Sequence, residues 1–209
     1  MSDPLIENRF ARVPKGTVTI LYLHGCTGIA PDNRKDFKML ARSGFLVIAP
    51  NSLVRQGRKS NCDPKTRQSG YFPDAHYWRM AEIKYAVGQL KNMPGVDPNK
   101  LVLMGHSEGA RAAGNWKGRE FRAIVTLGWS CKSIGSNFIG LQTDTKVPTM
   151  NVVSREDEWV PIHIRGTCEH ELRNHQVKEV VSPPGKRHWI NDDPQVYARI
   201  EAFIRDNAR

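Results

Sequence analysis

Several features that would place this chain in a specialised class are missing from its sequence. No stretch approaches the roughly 18–20 uncharged apolar residues that a membrane-spanning helix needs, and the first residues lack the basic-then-apolar pattern of a signal peptide. We therefore expect a cytoplasmic protein, or a periplasmic or secreted one if a leader has been removed. Zinc-finger, aromatic-rich RNA and basic-region motifs are also missing. We therefore expect neither nucleic acid nor a membrane as its partner.

Cysteine is scarce, with four residues in the whole chain: Cys26, Cys62, Cys131 and Cys168. Their wide spacing contains no Cys-x-x-Cys, which excludes the usual redox and zinc-ribbon motifs. Four cysteines allow three disulfide pairings in an oxidising compartment, and the sequence does not choose among them. In a cytosolic chain of this size, reduced thiols are the default expectation.

What the sequence does contain is the composition of an ordinary globular domain. The chain has 209 residues, of which 39% are hydrophobic, and includes 17 glycines. This length predicts one domain over residues 1–209. Lysine and arginine number 31 against 21 acidic residues, a net charge of +10. Such an excess fits an anionic small substrate, and it fits equally a role in solubility alone.

Six short apolar runs alternate with helical patterns. The runs are nearly continuous rather than alternating, which is typical of strands buried on both faces of a parallel sheet. Strands are predicted over Thr17–Leu23, Phe45–Ala49, Lys100–Met104, Arg122–Leu127, Val147–Val153 and Val177–Val181. Helices are predicted over Asp36–Ser43, Ala75–Met93, Glu108–Trp116, Val160–Asn174 and Pro194–Asn207. The pattern predicts an α/β fold with a compact, mostly parallel sheet of about six or seven strands and helices on both faces.

Residues 105–109 read Gly-His-Ser-Glu-Gly, directly after a predicted strand and directly before a predicted helix. In that context G-x-S-x-G predicts a sharp strand-to-helix turn that exposes the hydroxyl of Ser107 at a helix N-terminus. The positive end of the helix dipole favours developing negative charge there. The alternative is that Ser107 only caps the helix.

A nucleophilic serine needs a base and an orienting acid, which on this architecture follow it in the order acid then histidine. The turn after the strand at Val147–Val153 holds Glu156, Asp157 and Glu158. Asp157 fits best because it lies mid-turn, although spacing does not exclude its two neighbours. His188 follows the last predicted strand and is the best candidate base.

The other histidines are weaker candidates. His106 adjoins Ser107, and its short tether disfavours an in-line hydrogen bond to that hydroxyl. His163, His170 and His175 are predicted on a surface helix. His170 and His175 resemble a zinc-protease motif, but residues five apart on a helix point about 140° apart. We therefore predict no metal site there. The chemistry of a serine, a histidine and an acid needs no metal and no organic cofactor.

A tetrahedral intermediate needs two N–H donors aimed at its oxygen. One is expected from Glu108, the residue after the serine, and the other from the glycine-containing loop after the first strand. In the segment Leu23–Gly28, position favours the backbone N–H of Cys26, which follows His24 and Gly25, as this donor. A rival interpretation makes Cys26 the nucleophile, but this residue has no elbow motif.

Substrate contacts are harder to predict from the sequence. The segment 51–73 has little apolar pattern and carries five basic residues, among them Arg58, against one acid. If it overhangs the pocket, Arg58 would bind an anionic group; otherwise the segment is a solvated basic loop. Trp129, Trp159 and Trp189 follow the strands of the site and are candidates to line the pocket or to pack in the core.

With HGCTG, GHSEG, the Asp157 turn and His188 in this order, the chain resembles the α/β-hydrolase superfamily and, within it, the dienelactone hydrolase family. The resemblance implies an α/β-hydrolase fold without a cap domain. That family typically has a cysteine nucleophile in a G-x-C-x-G-G elbow, whereas this chain has Ser107, and Ala110 in place of the last glycine. The departure implies a serine hydrolase that cleaves an ester or lactone of a small substrate through an acyl-serine. The alternatives are a peptidase or amidase with the same triad and a non-catalytic binding module.

Overall fold

The computed structural model describes residues 12–69, 73–132, 140–159, 166–190 and 192–209. Within them, six parallel strands form one sheet in the order β2-β1-β5-β6-β7-β8, and β3 and β4 form an antiparallel hairpin. The strands are β1 (Thr19–Leu23), β2 (Leu46–Ile48), β3 (Cys62–Asp63), β4 (Gln68–Ser69), β5 (Leu101–His106), β6 (Ala123–Leu127), β7 (Thr149–Val152) and β8 (Lys178–Val181). The helices are α1 (Pro31–Arg42), α2 (Pro73–Leu90), α3 (Glu108–Gly114), α4 (Glu169–Leu172) and α5 (Pro194–Asn207).

Helices cover both faces of the sheet because successive side chains of each strand point to opposite sides. In β1, Ile20 and Tyr22 pack in the same apolar cluster as residues of α1 and α5. Leu21 and Leu23 pack in the cluster formed with α2 and α3 on the other face. All four side chains are fully buried. The prediction of a parallel sheet with helices on both faces is confirmed, and no cap domain is evident in the described parts of the chain.

The carboxyl ends of the central strands lie at one edge of the sheet. His106 at the end of β5 is paired with Leu127 at the end of β6, and Leu127 is paired with Val152 at the end of β7. Val152 is paired in turn with Val181 at the end of β8. The turns that follow these strands therefore share one edge, which is where ligands bind in open α/β sheets.

Two local predictions need correction. The segment 51–73 was expected to be irregular, but it contains a short 3-10 turn over Ser52–Val54 and the β3–β4 hairpin. The helix expected over Val160–Asn174 is reduced to α4 in the described residues, and residues 160–165 lie outside them. In contrast, α5 begins at Pro194 as predicted, because Asp193 Oδ1 accepts from the N–H groups of Gln195 and Val196.

The expectation of reduced thiols is wrong for this structure. Disulfides join Cys26 to Cys62 and Cys131 to Cys168, and none of the four sulfurs is free. The first bond ties the loop after β1 to the β3–β4 hairpin. Disulfides persist mainly in oxidising compartments. None of the described helices combines the length and apolar character needed to cross a bilayer.

Candidate active site

Ser107 occupies a strained turn between β5 and α3. Its backbone has φ 55° and ψ −115°, a conformation that costs energy for a residue with a Cβ and that recurs at functional sites. The flanking glycines are required by packing. A Cβ on Gly105 would lie 2.3 Å from the carbonyl oxygen of Gly109, and one on Gly109 would lie 2.1 Å from that of Leu23. The sequence motif therefore forms the predicted elbow.

His188 and Asp157 are in direct contact at the same edge of the sheet. His188 Nδ1 lies 2.9 Å and 2.8 Å from the two carboxylate oxygens of Asp157. A carboxylate only accepts, so Nδ1 donates. In a neutral imidazole this leaves Nε2 unprotonated and able to accept a proton. Both side chains are buried, with 7% and 1% of their surface exposed.

The structure distinguishes Asp157 from the two acids beside it. The Asp157 carboxylate also accepts from the N–H of Trp159 at 2.9 Å, which fixes its position in the turn. Glu156 is exposed, and Glu158 pairs with Arg67 of the hairpin at 2.9 Å. Among the described residues, neither glutamate has a hydrogen bond or ion pair with His188, so the geometry favours Asp157 as the orienting acid.

His188 lies beside His106, the residue that precedes Ser107, and in the described part of the chain no bond joins His188 to the serine. The His188 ring lies 4.6 Å, between centroids, from the ring of His106, the residue that precedes Ser107. In the described residues, no hydrogen bond links Ser107 Oγ to His188. Catalytic hydrogen bonds are often long before substrate binds. The direct contact between Ser107 and His188 therefore stays a prediction.

The loop after β1 lies against the elbow, as predicted for an oxyanion loop. A Cβ on Gly25 would lie 3.4 Å from the Cβ of Ser107. The next residue, Cys26, is 7% exposed and is bonded to Cys62. The disulfide removes the thiol that the rival nucleophile interpretation requires. Glu108 begins α3, where backbone N–H groups have no partner within the helix. The role of both N–H groups as oxyanion donors stays a prediction.

Arg58 does not provide an exposed cationic rim. Its side chain is fully buried, and its guanidinium lies 2.6 Å from Glu108 Oε1. Arg79 Nε lies 3.0 Å from the same oxygen. Burial by itself raises the pKa of Glu108, but the two guanidinium groups outweigh burial and lower it. The expectation that Arg58 binds substrate is therefore corrected, because its charge is paired with Glu108 inside the protein.

The three tryptophans differ in their surroundings. Trp159 stacks on His188 with centroids 5.3 Å apart, and Trp189 stacks on His106 at 3.6 Å. Trp129 is 6% exposed and packs in a small apolar cluster with Ala110 and the second disulfide. Trp159 and Trp189 thus adjoin the site, whereas Trp129 is a core residue in this structure.

Other histidines have structural surroundings that sequence reasoning missed. His175, expected on the surface, is buried and its Nε2 lies 2.9 Å from Thr143 Oγ1. His24 accepts the Ser52 N–H through Nε2 at 2.9 Å. Burial, then the charge of Arg79, lowers the pKa of His24 to about 4. His163 lies outside the described residues. The described residues contain no His, Cys, Asp or Glu cluster suited to a metal ion.

Comparisons with known proteins identify the family and the fold of this chain. The model of the dienelactone hydrolase family matches residues 9–202. A proposed dienelactone hydrolase from Klebsiella pneumoniae subsp. pneumoniae has a TM-score of 0.72 and 17% identity, covering 93% of this chain and 89% of that chain. An esterase from Pyrococcus furiosus has a TM-score of 0.65 and 18% identity, covering 93% of this chain and 84% of that chain. No curated protein matches the chain in sequence. At these identities, the solved structures establish the shared α/β-hydrolase fold.

Proposed function

Because the chain belongs to the dienelactone hydrolase family, we propose that it hydrolyses an ester or lactone of a small substrate through an acyl-serine at Ser107. Family membership supports a hydrolase of ester or lactone type. The observation that carries the finer proposal is the Asp157–His188 pair at the sheet edge where the strained Ser107 lies. An elbow serine, an imidazole with a free Nε2 and a buried carboxylate are the three groups that acyl transfer needs.

In the first half of the reaction, His188 Nε2 accepts the proton of Ser107 as Oγ attacks the acyl carbon. The carbonyl electron pair moves to its oxygen, which accepts hydrogen bonds from the backbone N–H groups of Cys26 and Glu108. Asp157 keeps the imidazole in the required tautomer and stabilises the imidazolium. The tetrahedral intermediate then collapses, the bond to the leaving oxygen breaks, and His188 donates its proton to that oxygen.

In the second half, a water molecule replaces the alcohol beside His188. Nε2 takes one proton from the water as its oxygen attacks the acyl carbon of the acyl-serine. When this intermediate collapses, Ser107 leaves and regains a proton from His188, and the free acid departs. With a lactone the same steps open the ring, because the leaving oxygen is part of the acyl group. The chain's own residues perform every proton transfer in this scheme.

The proposal is tested by labelling and by hydrolysis assays. A fluorophosphonate probe should label the wild-type protein at Ser107. Ser107→Ala should abolish both labelling and turnover, while its free energy of unfolding stays within about 1 kcal/mol of the wild-type value. Ser43→Ala is the matched control. This serine bonds Glu201 at 2.8 Å, and the variant should keep full activity. Labelling of another residue, or turnover by Ser107→Ala near the wild-type rate, contradicts the proposal.

The class of substrate is tested with a panel. Aryl esters and lactones should be hydrolysed, whereas aminoacyl anilides should be turned over far more slowly. Faster cleavage of the anilides would instead indicate the peptidase or amidase alternative. A labelled protein that hydrolyses no member of the panel would limit the proposal to an activated serine and remove the ester and lactone assignment.

A further inference from the structure

Arg79 of α2 joins the two backbone segments to which the oxyanion hole is assigned. Its side chain is fully buried. Nη2 donates to the carbonyl oxygen of His24 at 2.7 Å and reaches that of Gly25 at 3.4 Å. Nε donates to Glu108 Oε1 at 3.0 Å. One rigid guanidinium therefore contacts the loop that carries the Cys26 N–H and the side chain of the residue that carries the other N–H.

The contacts on Gly25 determine the direction of the Cys26 N–H. The carbonyl of residue 25 and the N–H of residue 26 belong to one planar peptide, which is trans here, so they point in opposite directions. The donors that hold the Gly25 oxygen towards α2 therefore also orient the Cys26 N–H, which points away from α2. Arg79 is one of these donors, and His24 is another.

The tautomer of His24 follows from its partners. Nε2 accepts the N–H of Ser52 at 2.9 Å, so in the neutral ring Nδ1 carries the proton. Nδ1 lies 2.6 Å from the Gly25 oxygen, to which it donates. Arg79 Nη2 also lies 2.9 Å from Nδ1. Two donors face each other there, so Arg79 holds the loop through the carbonyl oxygens and not through the ring.

The Glu108 side chain completes the connection. Its Oε1 accepts from Arg79 and from Arg58 at 2.6 Å, which fixes the first residue of α3 against α2. Arg79 Nη1 also lies 3.4 Å from Glu82 Oε2. Two carboxylates therefore face the two guanidinium groups, and the opposite charges balance, as buried ionic groups require. Movement of Arg79 would therefore disturb both donors of the oxyanion hole together.

We propose that Arg79 is a positioning residue for the oxyanion hole, holding the Gly25–Cys26 peptide and Glu108 in the orientation that stabilises the tetrahedral intermediate. The proposal rests on the acyl-serine function above. It assigns to Arg79 no contact with substrate. Its effect is expected in the transition state and not in substrate binding, because an oxyanion forms only after attack.

The test uses Arg79→Lys, with Arg199→Lys as the matched control. Lysine keeps the positive charge, but one ammonium cannot reproduce the planar fork that reaches both segments. Arg199 pairs with Glu179 at 2.6 Å in an exposed position. Removing one oxyanion donor lowers kcat by about 10²–10³, so a misdirected donor should lower kcat by at least about tenfold. KM should change less than about threefold, and Arg199→Lys should leave both constants unchanged.

Two further readouts separate positioning from a merely structural role. The affinity of Arg79→Lys for a phenylboronic acid, which forms a tetrahedral adduct on the serine, should fall in parallel with kcat, while the affinity for the product acid should not. If Arg79→Lys shows no cooperative unfolding transition, Glu108→Gln provides the second variant. It keeps the backbone N–H but weakens the link to Arg79, and it should lower kcat at least about threefold at constant KM.

Each outcome has a defined meaning. The positioning role is overturned if the wild-type protein hydrolyses esters and a folded Arg79→Lys or Glu108→Gln variant keeps kcat within twofold. That result leaves the proposed function intact. A rise in KM with unchanged kcat also overturns it, because that result indicates substrate binding. Turnover by Ser107→Ala would overturn both. Loss of kcat in parallel with boronate affinity, at constant KM, supports the role.

Discussion

The side chain of His106 holds the backbone of His188. His106 Nε2 lies 3.1 Å from the His188 carbonyl oxygen, and since a carbonyl only accepts, Nε2 donates. Burial first, and then the charge of His188, lowers the pKa of His106 well below its usual range. The ring therefore stays neutral at neutral pH. The residue before the candidate nucleophile is thus the one that anchors the loop of the candidate base.

His106→Phe should keep the stack on Trp189 but lose this anchor. The unpaired carbonyl should cost about 1–3 kcal/mol of stability. A shift of the His188 loop should also lower kcat/KM by about tenfold or more, since small misplacements of catalytic groups are costly. Urea unfolding and ester hydrolysis measure the two effects. His170→Phe, at an exposed position of α4, is the control. If both variants keep wild-type kinetics, the hydrogen bond from His106 to His188 has no role in the active site.

Asp157→Asn should lower kcat by about 10³–10⁴, because the amide can donate to His188 and favour the wrong tautomer. The matched control is Glu156→Gln, which removes the same charge one residue away on an exposed side chain. It should change kcat less than about threefold. Steady-state ester hydrolysis at neutral pH measures both. Equal losses in the two variants would indicate a general charge effect and refute the assignment of Asp157.

The two disulfides give a matched comparison. They join residues 36 and 37 positions apart, so Cys62→Ser and Cys168→Ser should each lower stability by about 2–5 kcal/mol. Only the first bond ends on the loop beside Ser107. Cys62→Ser should therefore lower kcat more than Cys168→Ser at a temperature where both are folded. Equal kcat values would show that the Cys26–Cys62 bond acts on stability alone.

Arg58→Gln tests whether this residue supports the fold or binds substrate. Breaking a buried ion pair is expected to cost about 3 kcal/mol, here at the lower end because Arg79 still faces Glu108. The ratio of kcat/KM for anionic and neutral esters should stay within twofold of the wild-type ratio. Lys59→Gln, an exposed neighbour, controls for loss of charge. A selective loss of anionic substrates in Arg58→Gln would restore the substrate-binding role.

Stability should fall as the pH is lowered from 6.5 towards 4. Burial, then the charge of Arg111, lowers the pKa of His76 from 6.5 to about 4. Between these values the unfolded chain binds the proton and the folded protein does not, so stability rises with pH across this window. Below pH 4 both states are protonated, and the contribution of His76 stays at its lower value. For one histidine the loss is at most about 3 kcal/mol. His76→Gln should make the urea midpoint depend less steeply on pH between 7 and 4.5, leaving the part that His24 and His106 contribute with the same sign, whereas His170→Gln should not change the slope.

Local pattern was enough to predict the main strands, the elbow and the start of the last helix. Continuous β-branched runs predicted all six strands of the main sheet, because strands covered on both faces tolerate few polar residues. GHSEG predicted the elbow because the glycines are required by contacts within the motif and with the adjacent strand. Asp193 and Pro194 predicted the start of α5, since a helix cap is formed by neighbours in the chain. The β3–β4 hairpin was missed because its strands have two residues each.

The sequence by itself determined the sheet, the strained serine and a short set of candidate acids, bases and donors. Only the tertiary structure decided that Asp157 faces His188, which cysteines are joined, and that Arg58 is internal. The tertiary structure alone also decided the contacts of Arg79 with His24, 55 residues away in the chain, and with Glu108, 29 residues away. A strand or a tight turn is set by residues near in the chain. A buried charge pair or a disulfide depends on which distant segments the folded sheet brings together, and no local pattern specifies that.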